Sequence, residues 1–271
     1  EMLEEKIRAL ASGSGKIWYM ADGVYSMYGD YAPVEDLLAL GEKYPQFHLY
    51  FDDVHGMSWK GINGTGFIFE KLGELPENVV VVSTLSKTFG ASGATFFCTD
   101  QKIREKIKIF GGPLTFSAQL EPASVAAAIA SSDIHLSSEI NERQLDLAKK
   151  ISHFGSLLAE STLPLVAQND SPVFFIGMGT PATAYNFTKR LYADGFYLNL
   201  GIYPAVPIKN TGIRITISAH NQISDITELY DAMEHHFHKA VQETGSSEEK
   251  IRQAFRIEGA DKTPSERNHS D

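Results

Sequence analysis

The fold is decided by the stretch VVVVSTLSKTFGASG, residues 79–93. Its four valines, Val79 to Val82, form a short apolar run typical of a strand buried on both faces of a sheet. Small polar residues follow at once, and Gly90 and Gly93 let the backbone turn and approach another group closely. The stretch therefore predicts a buried strand that ends in a polar turn.

Lys87 lies just beyond this predicted strand. Burial there would disfavour a charged amine, which suits a lysine that must be neutral to act as a nucleophile or to bond covalently to a carbonyl group. A solvated loop lysine is the commoner outcome for a single residue of this type. Both interpretations stay open on these residues alone.

The first half of the chain alternates strands with helices. We predict strands at residues 16–20, 48–51, 79–83 and 94–98, with helices at residues 2–11, 34–43, 103–110 and 122–131. A glycine-rich loop is expected at residues 56–66. This alternation indicates an α/β domain with a parallel or mostly parallel sheet.

The second half of the sequence is predicted to form a smaller domain. A long amphipathic helix at residues 138–158 is expected to link the two domains, with strands at 172–176, 197–200 and 213–217 and helices at 182–194 and 225–238. We place the large domain at residues 1–135 and the small α+β domain at residues 136–242. Residues 243–271 are polar and charged, which favours a disordered tail.

Composition excludes several classes of function. The net charge of −10 argues against a non-specific nucleic-acid surface, and no apolar run reaches membrane-spanning length. The single cysteine, Cys98, excludes an internal disulfide and favours a reducing, cytoplasmic location. The first predicted helix opens at Glu1 without a capping residue, so we expect sequence upstream of it.

Polar side chains gather where the first three predicted strands end. They are Asp22 and Ser26, Asp52 and His55, and Thr84 and Lys87. Ligands of open α/β sheets bind outside the carboxyl ends of the strands, so this convergence predicts one binding crevice. Each residue keeps an ordinary alternative, such as a turn-capping role for Asp52 or a core position for His55. No further ligand cluster accompanies them, so we predict no metal site.

Four segments, in this order, resemble the α-oxoamine synthase family of pyridoxal-phosphate enzymes. They are DGVYSMYGDYAP (22–33), DDVHG (52–56) with three further glycines, TLSKTFG (84–90), and YPAVP (203–207) with RITISA (214–219). The resemblance is to 8-amino-7-oxononanoate synthases and 2-amino-3-ketobutyrate ligases in particular. It implies fold type I, in which a large domain with a mostly parallel sheet and helices on both faces joins a small C-terminal domain.

The resemblance also implies a role for individual residues. Lys87 would bond covalently to the pyridoxal 5'-phosphate cofactor and later move the substrate's α proton. Asp52 would pair with the ring nitrogen, and His55 would donate to the ring's phenolic oxygen. The further cofactor contacts would be Ser26, Thr84, Ser86 and Ser117, the last of these reaching the phosphate of a neighbouring subunit. Arg214 would hold the carboxylate of the amino acid through a two-point fork.

The function implied is condensation of an amino acid with an acyl-CoA thioester, with loss of carbon dioxide, to give an α-aminoketone. A homodimer with a shared active site goes with it. An aminotransferase of the same fold is one alternative, and a non-catalytic subunit or fragment is another. Borohydride trapping of the cofactor on Lys87 would support the first interpretation.

The sequence departs from the family pattern in three places. Ala205 stands where those relatives usually carry a threonine that contacts substrate. In the loop after His55, Met57, Ser58 and Trp59 replace the smaller, glycine-containing pattern of the 8-amino-7-oxononanoate synthases. Both departures argue against a dedicated role in biotin synthesis. The family's N-terminal region, which supplies a ring stacked on the cofactor, has no counterpart in this sequence. We therefore expect a fragment, with a second chain that supplies this region as the alternative.

Overall fold

The computed structural model describes residues 1–11, 13 and 15–257. The chain divides into two compact units. The first comprises residues 1–25 and 31–145, and the second comprises residues 26–30 and the chain from residue 146 onward. The predicted boundary after residue 135 thus precedes the observed division.

The first unit is built on a four-stranded sheet in the order β1-β2-β3-β4. Its strands are β1 (Ile17–Asp22), β2 (Phe47–Asp52), β3 (Val79–Thr84) and β4 (Ala94–Phe97). The first three strands run parallel, and β4 pairs antiparallel to β3. The prediction of a mostly parallel sheet is confirmed.

The helices of the first unit follow the predicted order, with two additions. They are α1 (Met2–Leu10), α2 (Val34–Lys43), α3 (Phe67–Leu72), α4 (Gln101–Phe110), α5 (Gly112–Thr115) and α6 (Pro122–His135). The long helix α7 (Glu139–Ala159) begins in this unit and ends in the second. Helices α3 and α5 were not predicted, because each is too short to show a periodic pattern of apolar residues.

The core of the first unit lies on the two central strands. Phe47, Leu49 and Phe51 of β2 are fully buried, together with Val79 and Val81 of β3. Alternate residues of a strand point to opposite faces, so these five side chains share one face. They pack against α2 and α3 and fix the carboxyl ends of the strands.

The second unit has an antiparallel three-stranded sheet in the order β5-β7-β6. Its strands are β5 (Val173–Gly179), β6 (Asn199–Gly201) and β7 (Thr211–Thr216), and its own helices are α8 (Pro181–Ala193), α9 (Ile223–Glu243) and α10 (Glu248–Phe255). Phe174, Ile176 and Met178 of β5 are buried with Phe187 of α8 and Phe237 of α9. Residues of α7 and α10 belong to the same core, so four helices pack on this sheet.

The prediction of a disordered tail from residue 243 is wrong for residues 243–257. Helix α10 forms there, begun by Ser247, whose hydroxyl accepts a hydrogen bond from the backbone N–H of Lys250. Ile251 is 1% exposed and lies against Gly179, while the ring of Phe255 covers Gly177. Two apolar residues of a helix whose residues are half charged therefore contact β5. Residues 258–271 lie outside the described residues.

Within the described part of the chain, the helices are too short or too polar for any to cross a bilayer.

Candidate functional site

The carboxyl ends of β1, β2 and β3 lie side by side in the first unit. Asp22 is the register partner of Asp52, and Asp52 is in turn the partner of Val82 on β3. The chain then continues from β2 to His55 and from β3 to Lys87. The predicted convergence of these strand ends is present, because parallel strands deliver their following loops to one edge.

Lys87 and His55 are in direct contact at this edge. Lys87 Nζ lies 2.8 Å from Nε2 of His55. A lysine ammonium can only donate, so in that state Nε2 accepts and the other ring nitrogen carries the proton. The contact places an amine beside a group that can also exchange protons.

Lys87 is exposed, which agrees with the solvated loop lysine, one of the two interpretations that the sequence left open. Lys87 lies three residues past the last residue of β3, in the turn that leads to β4. Strand β3 ends at Thr84. The run of valines therefore predicts that the strand is buried, but it does not predict burial of the turn that follows.

Two hydroxyls form a small polar cluster on the same turn. Thr84 Oγ1 lies 2.7 Å from Ser86 Oγ, and it accepts a hydrogen bond from the backbone N–H of Ser86 at 3.1 Å. It also lies 3.2 Å from the carbonyl oxygen of Gly93. Hydroxyls and backbone N–H groups are donors of the kind that bind phosphate oxygens.

Asp52 and Asp53 are neighbours with different surroundings. Asp52 is half-buried, and its Oδ1 accepts a hydrogen bond from the backbone N–H of Val54 at 3.0 Å. Asp53 is 1% exposed, and its Oδ2 accepts from the N–H of Ile68 at 2.9 Å. Burial raises the pKa of Asp53 to about 7, and the negative charge of Asp52 adds to that rise. The buried carboxyl group of Asp53 can therefore hold its proton near neutral pH.

Asp53 is enclosed by glycines. A Cβ atom at Gly23, Gly56 or Gly66 would collide with its carboxyl group. The sequence analysis did not single out Asp53, and it predicted only a glycine-rich loop at residues 56–66. The signal that could have found it is a second acidic residue at a strand end, followed by glycines that let a loop close over it.

Ser26 and Arg214 meet in the second unit. Arg214, in the middle of β7, donates from Nε to the backbone carbonyl of Ser26 at 2.6 Å and from Nη1 to Thr216 Oγ1 at 3.0 Å. Burial lowers the pKa of the Arg214 guanidinium. These two bonds use two of the five N–H groups, so both N–H groups of Nη2 and one of Nη1 remain.

Ser117 lies in the exposed stretch between α5 and α6. Its predicted contact with a neighbouring subunit stays a prediction. No group of three or more potential ligand side chains is arranged for a metal ion within the described ranges.

A family model described as "Aminotransferase class I and II" matches residues 1–233. The chain belongs to this family. The named proteins that the chain is similar to include an 8-amino-7-oxononanoate synthase and a serine palmitoyltransferase. These similarities confirm the resemblance to the α-oxoamine synthase family.

One curated relative is the 8-amino-7-oxononanoate synthase of Maricaulis maris, 31% identical over 229 residues, with 84% of this chain and 55% of the relative covered. Among solved structures, a serine palmitoyltransferase of Sphingomonas wittichii is 26% identical with a TM-score of 0.78, covering 90% of this chain and 59% of that one. Another serine palmitoyltransferase, described with PLP as an internal aldimine, is 25% identical with a TM-score of 0.76 and coverages of 90% and 60%. These matches confirm the predicted fold. The chain spans somewhat more than half the length of these relatives.

Proposed function

We propose that this chain is part of a pyridoxal 5'-phosphate-dependent acyltransferase that condenses an amino acid with an acyl-CoA thioester. Carbon dioxide and free CoA would leave, and an α-aminoketone would form. The observation that supports this most directly is the 2.8 Å contact between Lys87 and His55, next to the end of the strand that carries Asp52. The named relatives are the second support.

The residues of the first unit fit the cofactor by the chemistry of their donors and acceptors. The cofactor's aldehyde needs an amine, which Lys87 offers, and its ring nitrogen needs an acid, which Asp52 offers. Its phosphate needs hydrogen-bond donors, and the hydroxyl oxygens of Thr84 and Ser86 lie 2.7 Å apart on one turn. When bound, the cofactor supplies an electron-withdrawing ring that stabilises negative charge on the substrate's α carbon.

Residues of this chain would carry out the proton transfer and bind the substrate. Lys87 Nζ would take the proton from the α carbon of the amino acid, and His55 would orient Nζ through the bond at Nε2. Asp52 would keep the cofactor's ring nitrogen positively charged. Arg214, whose Nε and Nη1 are held by Ser26 and Thr216, would offer its remaining donors to the substrate carboxylate. Ser26 and Ser117 are further proposed cofactor contacts, the second across a homodimer interface.

Reduction of the intact protein with borohydride tests the proposal. Peptide mapping should find the cofactor's mass on Lys87, and K87M should lose it. Release of free CoA should require both an amino acid and an acyl-CoA. An unlabelled Lys87 would overturn the assignment.

An aminotransferase is the second candidate, because the matching family model carries that description. It would use the same lysine but no thioester. Formation of a keto acid without CoA release would favour it, whereas CoA release would favour the acyltransferase. A non-catalytic subunit would show neither activity and no cofactor absorbance.

A further inference from the structure

The loop that carries His55 is held in an unusual conformation at one residue. Ser58 has a backbone φ of 75°, in the left-handed region that non-glycine residues seldom occupy. Such a conformation costs on the order of 1 kcal/mol and persists only where the surroundings enforce it. Something in the first unit must therefore hold Ser58.

His135, at the last position of α6, holds the side chain of Ser58. Both residues are buried, and Nε2 of His135 lies 2.9 Å from Ser58 Oγ. The other ring nitrogen, Nδ1, lies 2.7 Å from the carbonyl oxygen of Ser131, which can only accept. Nδ1 therefore carries the proton, and in the neutral ring Nε2 accepts the hydrogen bond from the serine hydroxyl.

The backbone of the same residue is held from α7. Gln144 Nε2 donates to the carbonyl oxygen of Ser58 at 2.9 Å and to that of Gly61 at 3.1 Å. Ser58 N–H donates to Gly64, closing the loop on itself. A Cβ atom at Gly64 would come within 2.7 Å of His135 Cδ2, so the ring is packed directly against the loop.

The turn that carries Lys87 reaches the same histidine. The ring of Phe89, two residues after Lys87, lies 4.7 Å from the His135 ring at an interplanar angle of 34°. Thr88 Oγ1 donates to the carbonyl oxygen of Met57 at 3.1 Å. His135 thus touches both segments whose side chains meet in the contact between Lys87 and His55.

We propose that His135 is a positioning residue that holds Ser58 and Phe89 so that His55 meets Lys87. The catalytic consequence rests on the function proposed above, whereas the positioning itself does not. His135 would touch neither cofactor nor substrate, and it would act through the loop of residues 55–66 and the turn of residues 87–89.

The test uses histidine ring ¹⁵N resonances of the cofactor-free protein. The Nε2 resonance of His55 reports its bond to Lys87, and K87M supplies the position that this resonance takes when the bond is lost. H135N keeps a donor near the Ser131 carbonyl but is too short to reach Ser58. We expect H135N to move the His55 resonance toward its position in K87M.

S58A is the milder variant, because it removes only the hydroxyl oxygen that His135 binds. It should shift the His55 resonance in the same direction, and H135N with S58A should shift it no further than either alone. H153N is the matched control. It breaks a comparable 2.9 Å histidine–hydroxyl bond, to Thr227 in the second unit, and should leave His55 unchanged.

An unmoved His55 resonance in folded S58A would overturn the proposal, as would an equal shift in H153N. These readouts need no cofactor or substrate, so they remain decisive even if CoA release or trapping on Lys87 fails. With the activity established, a double-mutant cycle adds a kinetic test. H135N should lower kcat about 10- to 100-fold in the wild-type background and cause little further loss in H55A.

Discussion

Arg214 Nε donates to the backbone carbonyl of Ser26 at 2.6 Å across a sequence separation of 188 residues. This bond joins the centre of β7 to the short segment 26–30, which belongs to the second unit although it follows β1 closely in sequence. Thr216 accepts from Nη1. Two of the guanidinium nitrogens are therefore engaged by the protein, which fixes the direction in which the third points.

Replacing Arg214 by lysine should weaken amino-acid binding. Lysine keeps the charge but has no planar fork, so it cannot hold Ser26 and a substrate carboxylate together. Loss of one charged hydrogen bond corresponds to about 1.5–3 kcal/mol, which predicts a KM for the amino acid roughly 10- to 100-fold higher. Steady-state kinetics with the amino acid varied measures this.

R190K is the matched control for R214K. Arg190 also lies in the second unit, where it binds Asn186 of α8 and Glu243 of α9. Its replacement should leave the KM unchanged. An equal rise in KM for both variants would show a general effect of losing an arginine rather than carboxylate binding at Arg214.

The sequence predicts the sheet well because its signals are local. The four valines from Val79 mark a buried strand, and the observed β3 extends only one residue beyond the predicted end. The parallel topology then places the carboxyl ends of these strands at one edge of the sheet. For this reason Asp52, His55 and Lys87 could be predicted to form one group. Their order along parallel strands leaves few other arrangements.

What the sequence could not predict depends on contacts between distant residues. Asp53 binds the N–H of Ile68, and His135 binds Ser58 from 77 positions away. Neither pairing leaves a periodic pattern. The predicted tail failed for a similar reason, since the docking of α10 depends on Ile251 meeting a glycine of β5.

D52N should lower kcat while leaving the fold intact. The amide oxygen of asparagine can still accept from Val54 N–H, so the turn after β2 is kept. The negative charge proposed to face the cofactor's ring nitrogen is lost, which should reduce kcat by about 100- to 1,000-fold. D36N, at an exposed position of α2, should retain full activity. A D52N enzyme with normal kcat would remove Asp52 from the proposed machinery.

Asp53 should make the protein less stable as the pH rises from about 4 to about 7. The pKa of its carboxyl group is about 7 in the folded state, against an ordinary value of 3.8. Over that interval the folded state holds a proton that the unfolded state has released, so the free energy of unfolding falls by up to about 1.4 kcal/mol per pH unit. Below pH 4 and above pH 7 this contribution is constant.

Denaturant unfolding across that pH range, with wild type and D53N compared, measures the effect of Asp53. The variant cannot titrate, so its stability should decline less steeply with pH. D133N, an exposed position on α6, should keep the wild-type slope. Identical slopes in wild type and D53N would contradict a buried, protonated Asp53.

Gly56→Ala should destabilise the first unit, because the added methyl group has no space. It would lie 2.8 Å from the backbone nitrogen of Phe67 and collide with the carboxyl group of Asp53. Overpacking of this kind costs about 1–3 kcal/mol. Gly155→Ala is the contrasting variant, since a Cβ atom at that position of α7 meets nothing within 4 Å. It should stabilise the protein by about 0.5–1 kcal/mol through helix propensity. Urea unfolding of both variants separates a steric effect at Asp53 from a general effect of glycine replacement, and a neutral Gly56→Ala would mean that the loop does not close on Asp53.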